Sequence, residues 1–154
     1  MCNIYLSISY KTVLAYLILL ACFLPNGCTK NTDDEEEINK LIDTAIISVE
    51  NGKTGNLMAL ISDDFQGSGV NSRREFKALL LFYFRSHQEI NIMLLNRQIT
   101  IDQTAAVVDL SALLTGHGRR GAIIPEQGEH VNIKLELQKN GQWEVVAAYW
   151  QEER

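Results

Sequence analysis

Cysteine is missing from most of this 154-residue chain: it occurs only at Cys2, Cys22 and Cys28. A domain folded from the residues after position 28 therefore has no disulfide, no thiol nucleophile and no thiolate metal site. The chain is long enough for one domain with one hydrophobic core.

Positive charge is also scarce. From residue 29 onward there are thirteen basic and nineteen acidic residues, a net charge of −6. Proteins that bind nucleic acid usually concentrate basic residues on one face, so the composition argues against a nucleic-acid partner. A solvated acidic surface that keeps the domain soluble by self-repulsion is the simpler interpretation.

The apolar runs are short. A membrane-spanning helix needs about 20 residues, whereas the run over residues 12–24 has 13 and follows Lys11, the only charge in the first 28 residues. This arrangement is typical of the hydrophobic region of a secretory signal. The alternative is an uncleaved anchor that joins residues 4–10 to the run, but it would bury Lys11 at a cost of roughly 3 kcal/mol.

The end of that run resembles the lipobox of bacterial lipoproteins, because aliphatic residues and Ala21 precede Cys22. In lipoproteins this cysteine is acylated and becomes the new N-terminus. Two or three acyl chains hold a protein firmly at a membrane, since each buried methylene contributes about 0.8 kcal/mol. Cys28 is the alternative acylation site, although Pro25 and Asn26 fit the pattern poorly.

The lipobox resemblance divides the chain into a leader over residues 1–28, a polar tether over residues 29–34 and a folded domain over residues 35–154. Cleavage is expected before Cys22, or alternatively before Cys28. Aspartate follows neither cysteine. The resemblance therefore implies a lipid-anchored protein of the cell envelope, in the outer membrane and facing the periplasm if the organism is Gram-negative.

Hydrophobic spacing predicts three helices at the start of the domain. A capping box with Thr32 as N-cap and a run of acids, residues 33–37, open the first helix. Residues 56–61 form the second, short helix. Ser72 begins another capping box before the third helix, whose residues 76–84 are apolar on nearly every side; that pattern predicts burial on more than one face.

Alternating apolar residues predict three strands after these helices, residues 89–101, 105–115 and 131–138, and a fourth over residues 143–151 is apolar on both faces. The apolar face of the first strand changes near residues 93–95, which indicates a bend or bulge. Asn140-Gly141 predicts a hairpin between the last two strands. The predicted fold class is α+β, with three N-terminal helices packed on a curved, mainly antiparallel four-stranded sheet.

This order of elements resembles the nuclear transport factor 2-like superfamily, the cone-shaped fold of ketosteroid isomerase and SnoaL-type polyketide cyclases. The resemblance covers roughly residues 33–152. It rests on the sequence LISDDF at residues 60–65, the helix start at residues 72–75, the long strand after His87 and the closing strand from Trp143. A cystatin-like sheet with one helix is the nearest alternative.

The resemblance implies a pocket inside the cone, where the enzymes of the superfamily place an acid, a tyrosine or a histidine. The candidates here are Asp64, Tyr83, Asp109 and Tyr149. Asp109 alternates with apolar neighbours, so it should point away from the core. No position supplies a convincing acid–base pair, and a filled cone without catalysis is therefore favoured.

Two histidines flank a glycine-rich loop between the second and third strands. His117 and His130, with Glu126 or Glu129 nearby, are residue types that bind zinc. Ordinary loop histidines are far commoner, so no metal and no cofactor is expected.

The outer face of the sheet is predicted to be unusually apolar. The residues assigned to it are Met93, Leu95, Val146, Ala148 and Trp150. Exposed apolar surface of this kind favours burial, either by a second copy of the chain in a homodimer through this face or by a partner protein.

These observations favour a membrane-anchored, non-catalytic lipoprotein that binds a ligand, for example a small apolar one, or another protein. The alternative function is a small-molecule enzyme of the SnoaL or ketosteroid isomerase kind, with a pocket tyrosine and a carboxylate.

Overall fold

The computed structural model of the protein describes residues 30–118 and 128–152. The leader with Cys22 and Cys28 lies outside the described residues, as does Glu126. In the described ranges the elements are α1 (Lys30–Glu50), α2 (Thr54–Met58), β1 (Ile61–Gly67), α3 (Arg73–Ser86), β2 (His87–Asp102), β3 (Ala105–Gly118), β4 (Glu129–Asn140) and β5 (Gln142–Glu152). No helix in these ranges is long and apolar enough to cross a membrane.

The strands form one sheet in the order β1-β5-β4-β3-β2. Strands β2 to β5 are an antiparallel meander, and β1 lies parallel to β5 at one edge. The register shifts between Leu94 and Asn96 of β2 and opposite residues 136–137 of β4. Such bulges bend strands, so the bulge predicted near residues 93–95 is confirmed.

Four of the five strands match the predicted strands to within a few residues, but β1 is an additional strand. The sequence pattern places residues 62–65 directly after the second helix and outside any strand. That prediction is wrong because Ile61 and Phe65 are the only fully buried residues of β1, so the strand lacks an alternating apolar pattern. The start of β1 is instead determined by its pairing with β5, because the Val145 amide of β5 donates a hydrogen bond to the Leu60 carbonyl oxygen at 2.9 Å. Helix α2 accordingly ends at Met58 rather than at residue 61.

Helix α1 begins at Lys30, inside the predicted tether, so Thr32 is a helical residue and not the N-cap. Tertiary contacts explain the difference. Asp34 is 5% exposed; it accepts a hydrogen bond from the Trp143 indole N–H at 3.2 Å and forms an ion pair with Lys139. These contacts hold the first turns of α1 against the β4–β5 hairpin.

Hydrogen bonds to Asp34 and Glu37 raise the pKa of Lys139 above its ordinary value. The Lys139 ammonium also lies 5.7 Å from the centre of the Trp143 ring. Farther along α1, Arg97 of β2 donates hydrogen bonds to Asn39 and Asp43. At the end of α1, the Glu50 carboxylate accepts a hydrogen bond from the Ile92 amide of β2 at 2.9 Å, so the helix is attached to the sheet by polar contacts at three places.

Helix α3 starts as its sequence predicts. The Ser72 hydroxyl accepts a hydrogen bond from the Glu75 amide at 3.2 Å, and the Glu75 carboxylate accepts one from the Asn71 amide at 2.8 Å. The prediction that this helix is buried on more than one face is wrong, because none of its residues is buried. It packs on the core along one side only, through partly buried residues such as Phe76 and Leu80.

The hydrophobic core lies between the helices and the concave face of the sheet. Its most buried large side chains include Ile38 and Ile42 of α1, Phe65 of β1, Val108 of β3 and Leu137 of β4. Burial of a side chain of this size contributes about 1.5–3 kcal/mol. The core thus joins α1 to strands far from it in the sequence.

Candidate functional site

Two cavities, both partly open to solvent, lie between the helices and the sheet. The first has a volume of about 200 Å³, and every residue that lines it is apolar. Its walls come from α1, α2, α3 and the concave face of the sheet. The inward residues of this face alternate along each strand, which explains why aliphatic side chains converge there.

The second cavity has a volume of about 220 Å³. It adjoins the first, because five residues line both: Val49, Phe76, Leu80, Ile133 and Trp150. Together the two cavities form an elongated apolar space that extends along α3.

Two polar side chains, Tyr83 of α3 and Glu129 of β4, line the second cavity. Tyr83 is a predicted pocket residue, and the structure places it there. From the sequence, Glu129 is a candidate only for the zinc site, because it lies at the end of the glycine-rich loop. Its register opposite Leu114 brings it to the cavity, and only strand pairing could reveal that position.

The His87 side chain, directly after the end of α3, packs against the Tyr83 side chain. The two rings stack with centroids 5.9 Å apart and an angle of 19° between the planes. His87 is 4% exposed, and its Nδ1 lies 3.0 Å from the Tyr83 carbonyl oxygen. Since a carbonyl oxygen only accepts, Nδ1 carries the proton in this contact.

The other predicted pocket residues lie elsewhere. Asp64 is exposed on the edge strand β1 and lines neither cavity. Asp109 points away from the core, as predicted. Tyr149 is 44% exposed and lies with Asp109 and Lys134 in an open groove of about 390 Å³ on the convex face of the sheet.

The bulge in β5 explains the position of Tyr149. Val145 pairs with Leu137 and Ala147 with Glu136, so Val146 has no partner in β4. The extra residue reverses which side chains face inward after it. Tyr149 therefore leaves the interior and Trp150 enters it.

Because of the same bulge, the prediction of the outer surface is partly wrong. Ala148 and Trp150 line the cavities instead of the convex face, and Val146 is a half-buried bulge residue. Met93 and Leu95 are exposed, at 62% and 54%. The apolar part of the convex face is thus smaller than predicted and lies on the edge strand β2.

The zinc hypothesis receives no support from the positions of the histidines. Leu113 pairs with His130, so His117 is four residues farther along β3, roughly 13 Å at about 3.3 Å per residue. The His130 Nε2 lies 2.8 Å from the Ser111 hydroxyl. Within the described ranges, no group of three or more histidine, cysteine or acidic side chains is placed to hold a metal.

No protein-family model matches the sequence, and no curated protein matches it significantly. Solved structures do match the fold. A candidate scytalone dehydratase from Novosphingobium aromaticivorans superposes with a TM-score of 0.71 at 16% identity, over 80% of this chain and 87% of that chain. A candidate dehydratase of the NTF2-like family from Streptomyces avermitilis gives 0.69 at 12% identity, over 79% and 97%.

A candidate ketosteroid isomerase from Shewanella frigidimarina gives a TM-score of 0.63 at 16% identity, over 75% of this chain and 94% of that chain. Against Bdellovibrio bacteriovorus Bd1075, the chain spans 40% of the other protein's length. Similarity at these identities establishes architecture and leaves activity to be argued from the site. The described domain has the α+β fold of nuclear transport factor 2-like proteins, with three helices on a five-stranded sheet.

Proposed function

We propose that this chain is a lipid-anchored protein of the cell envelope whose cone binds a small, largely apolar molecule without transforming it. The observation that carries the proposal is the pair of adjoining cavities with apolar walls. An apolar cavity of about 150 Å³ is known to bind benzene. Cavities of this size and lining therefore suit a ligand of one or two rings or a short hydrocarbon chain.

The distribution of polar groups supports binding rather than catalysis. Ligand sites are typically apolar with a few polar groups that orient the ligand. Here Tyr83 and Glu129 line one end of the space, while every residue around the first cavity is apolar. A ligand with one polar end and a hydrocarbon body fits this arrangement.

Binding is tested with toluene as the probe and the melting temperature as the measurement. A ligand that binds only the folded state raises the melting temperature, so toluene is expected to raise it by a few degrees. Ala45 of α1 lines the first cavity, and Ala45→Phe should fill it and abolish the increase. The control is Thr44→Phe at the exposed neighbouring position, which should keep it. An equal response of both variants, or no response of the unmodified chain, contradicts the proposal.

The anchor is supported by the lipobox-like sequence before Cys22 and by the lack of cysteine after Cys28. Mass spectrometry of the native protein is expected to find an N-terminal acylated cysteine at position 22 or 28. Recovery of the chain with its leader intact and without an acyl group would overturn this part of the proposal.

A second candidate function is an enzyme of the isomerase or dehydratase kind, as named for three of the structural neighbours. The specific observation in its favour is that Tyr83 and Glu129 line the same cavity. A carboxylate base and a tyrosine that donates to a developing oxyanion are the groups that such proton transfer needs.

The two functions are separated by deuterium incorporation from D₂O into a small cyclic β,γ-unsaturated ketone, measured by NMR. Binding without catalysis predicts exchange at the buffer rate. Exchange above that rate, with a loss of about 100-fold or more in both Tyr83→Phe and Glu129→Gln, would replace the binding proposal by the enzymatic one.

A further inference from the structure

Helix α3 presents a side that the rest of the described domain does not cover. Six of its exposed residues recur at intervals of three or four and so lie on one side of the helix: Arg74, Lys77, Ala78, Leu81, Phe82 and Arg85. We call this side the α3 face. Phe82 is 56% exposed and Leu81 39%, although large apolar side chains normally avoid water.

Charge is segregated on this helix. Residues 73–86 carry four bases and one acid, a net charge of +3, whereas residues 29–154 together carry −6. Arg73 is held by Asp63 at 2.8 Å. Within the described part of the chain, Arg74, Lys77 and Arg85 make no ion pair, so their charges face solvent.

We propose that the α3 face docks on the surface of an anionic phospholipid membrane. Phe82 and Leu81 enter the boundary between head groups and acyl chains, and Arg74, Lys77 and Arg85 lie against lipid phosphates. A helix with basic residues around an apolar strip of this composition lies in the plane of a membrane interface. Each basic residue near an anionic surface strengthens binding about fivefold.

The length of the chain before α1 supports a membrane as the occupant. From Cys22 to Lys30 is eight residues, which reach at most roughly 28 Å at about 3.5 Å per residue. A domain held by such a short connection stays close to the bilayer. This step rests on the proposed lipid anchor. If the α3 face bound the same face of a second copy instead, the three unpaired cations of one chain would lie opposite three like charges of the other.

Docking of the α3 face would also determine where the two cavities lie relative to the membrane. The opposite side of α3 contributes Phe76, Leu80 and Tyr83 to the cavity walls. The docked helix therefore lies between the ligand space and the membrane, at a distance of about one helix diameter, roughly 10 Å.

The test places the photo-crosslinking residue p-benzoylphenylalanine at Phe82 in the full chain, reconstituted in vesicles of phosphatidylglycerol. The matched control carries it at Ile47 of α1, which is apolar and, at 56%, as exposed as Phe82. The expected result is lipid adducts at position 82 at least fivefold above those at position 47. Adducts at position 82 should fall at least tenfold in phosphatidylcholine vesicles, at 1 M salt, or after Arg74→Gln, Lys77→Gln and Arg85→Gln are combined.

Adducts from position 82 to a second copy of the chain or to another protein would overturn the proposal, as would equal lipid adducts at both positions. Vesicle flotation at high salt reports the anchor separately, and the toluene response reports the cavity. A failure of docking is therefore distinguishable from a failure of either part of the proposed function. If the triple variant does not fold, the proposal is still tested by comparing phosphatidylglycerol with phosphatidylcholine vesicles for the chain that keeps all three basic residues.

Discussion

Asp34 shows how much a tertiary contact changes the role of a charged residue. In the sequence it belongs to a run of acids at the start of a helix, where a solvent-exposed position is ordinary. In the structure it is 5% exposed and accepts a hydrogen bond from Trp143, a residue 109 positions away. A buried carboxylate needs such partners because its desolvation is costly.

Replacement of Asp34 by alanine should destabilise the domain, because it removes the acceptor from the buried Trp143 N–H. An unsatisfied buried donor costs about 1–3 kcal/mol, and this loss should appear in urea unfolding. The control is Asp33→Ala, one residue earlier and exposed, for which a change within about 0.5 kcal/mol is expected. Equal losses in both variants would show that the hydrogen bond is unimportant.

Lys139 leads to a prediction about pH. Hydrogen bonds to Asp34 and Glu37 raise its pKa in the folded state. The stabilisation by Lys139 is therefore complete below its unfolded pKa, about 10.4, and is lost as the pH rises through the higher folded pKa. The difference in unfolding free energy between the unmodified chain and Lys139→Met should be constant from about pH 7 to 9 and shrink above about pH 10.4. The exposed Lys134→Met serves as the control, and a difference that grows with pH would contradict the assignment.

Among the helices, α3 combines a start that is evident in the sequence with a burial that is not. Its capping box depends on residues three apart, so local sequence suffices to find it. Its exposure depends on what else covers it. Apolar residues at 76–84 predict a buried helix, and only the packing shows that Leu81 and Phe82 are uncovered.

The Ser72 cap can be tested by unfolding. Ser72→Ala should lower the free energy of unfolding by about 1 kcal/mol, because the Glu75 amide loses its acceptor. Ser86→Ala at the other end of the helix is the control: its hydroxyl donates to the Phe82 carbonyl oxygen and caps no amide, so a smaller loss is expected. A larger loss for Ser86→Ala than for Ser72→Ala would contradict this account of the helix start.

The strands, like α3, have some features that are evident in the sequence and others that only the packing shows. The strands β2 to β4 alternate clearly enough to be predicted, whereas β1 has too few buried residues to be recognised. β5 is predicted from its apolar residues, but they do not alternate. Both of its faces are apolar, so nothing in the sequence indicates that Val146 is the bulge residue and that Trp150 faces the cavity.

For the whole molecule, association through the convex face of the sheet stays a prediction. It now rests on Met93 and Leu95 of β2, since Ala148 and Trp150 face the interior. Sedimentation at high micromolar concentration should show a dimer for the unmodified chain and a monomer for Met93→Lys combined with Leu95→Lys. Thr100→Lys, exposed on the same strand, should leave the dimer intact. A monomeric unmodified chain would refute the homodimer.

The sequence by itself determined the fold class, the four strands of the meander and the start of α3, because these depend on the spacing of residues close together in the chain. It also singled out Tyr83 as a pocket residue. Only the tertiary structure decided which face of β5 is inward, that Glu129 joins Tyr83 at the cavity and that Asp34 is buried. Each of these depends on strand register and on contacts between distant residues, and a single bulge residue is enough to reverse which side chains face inward.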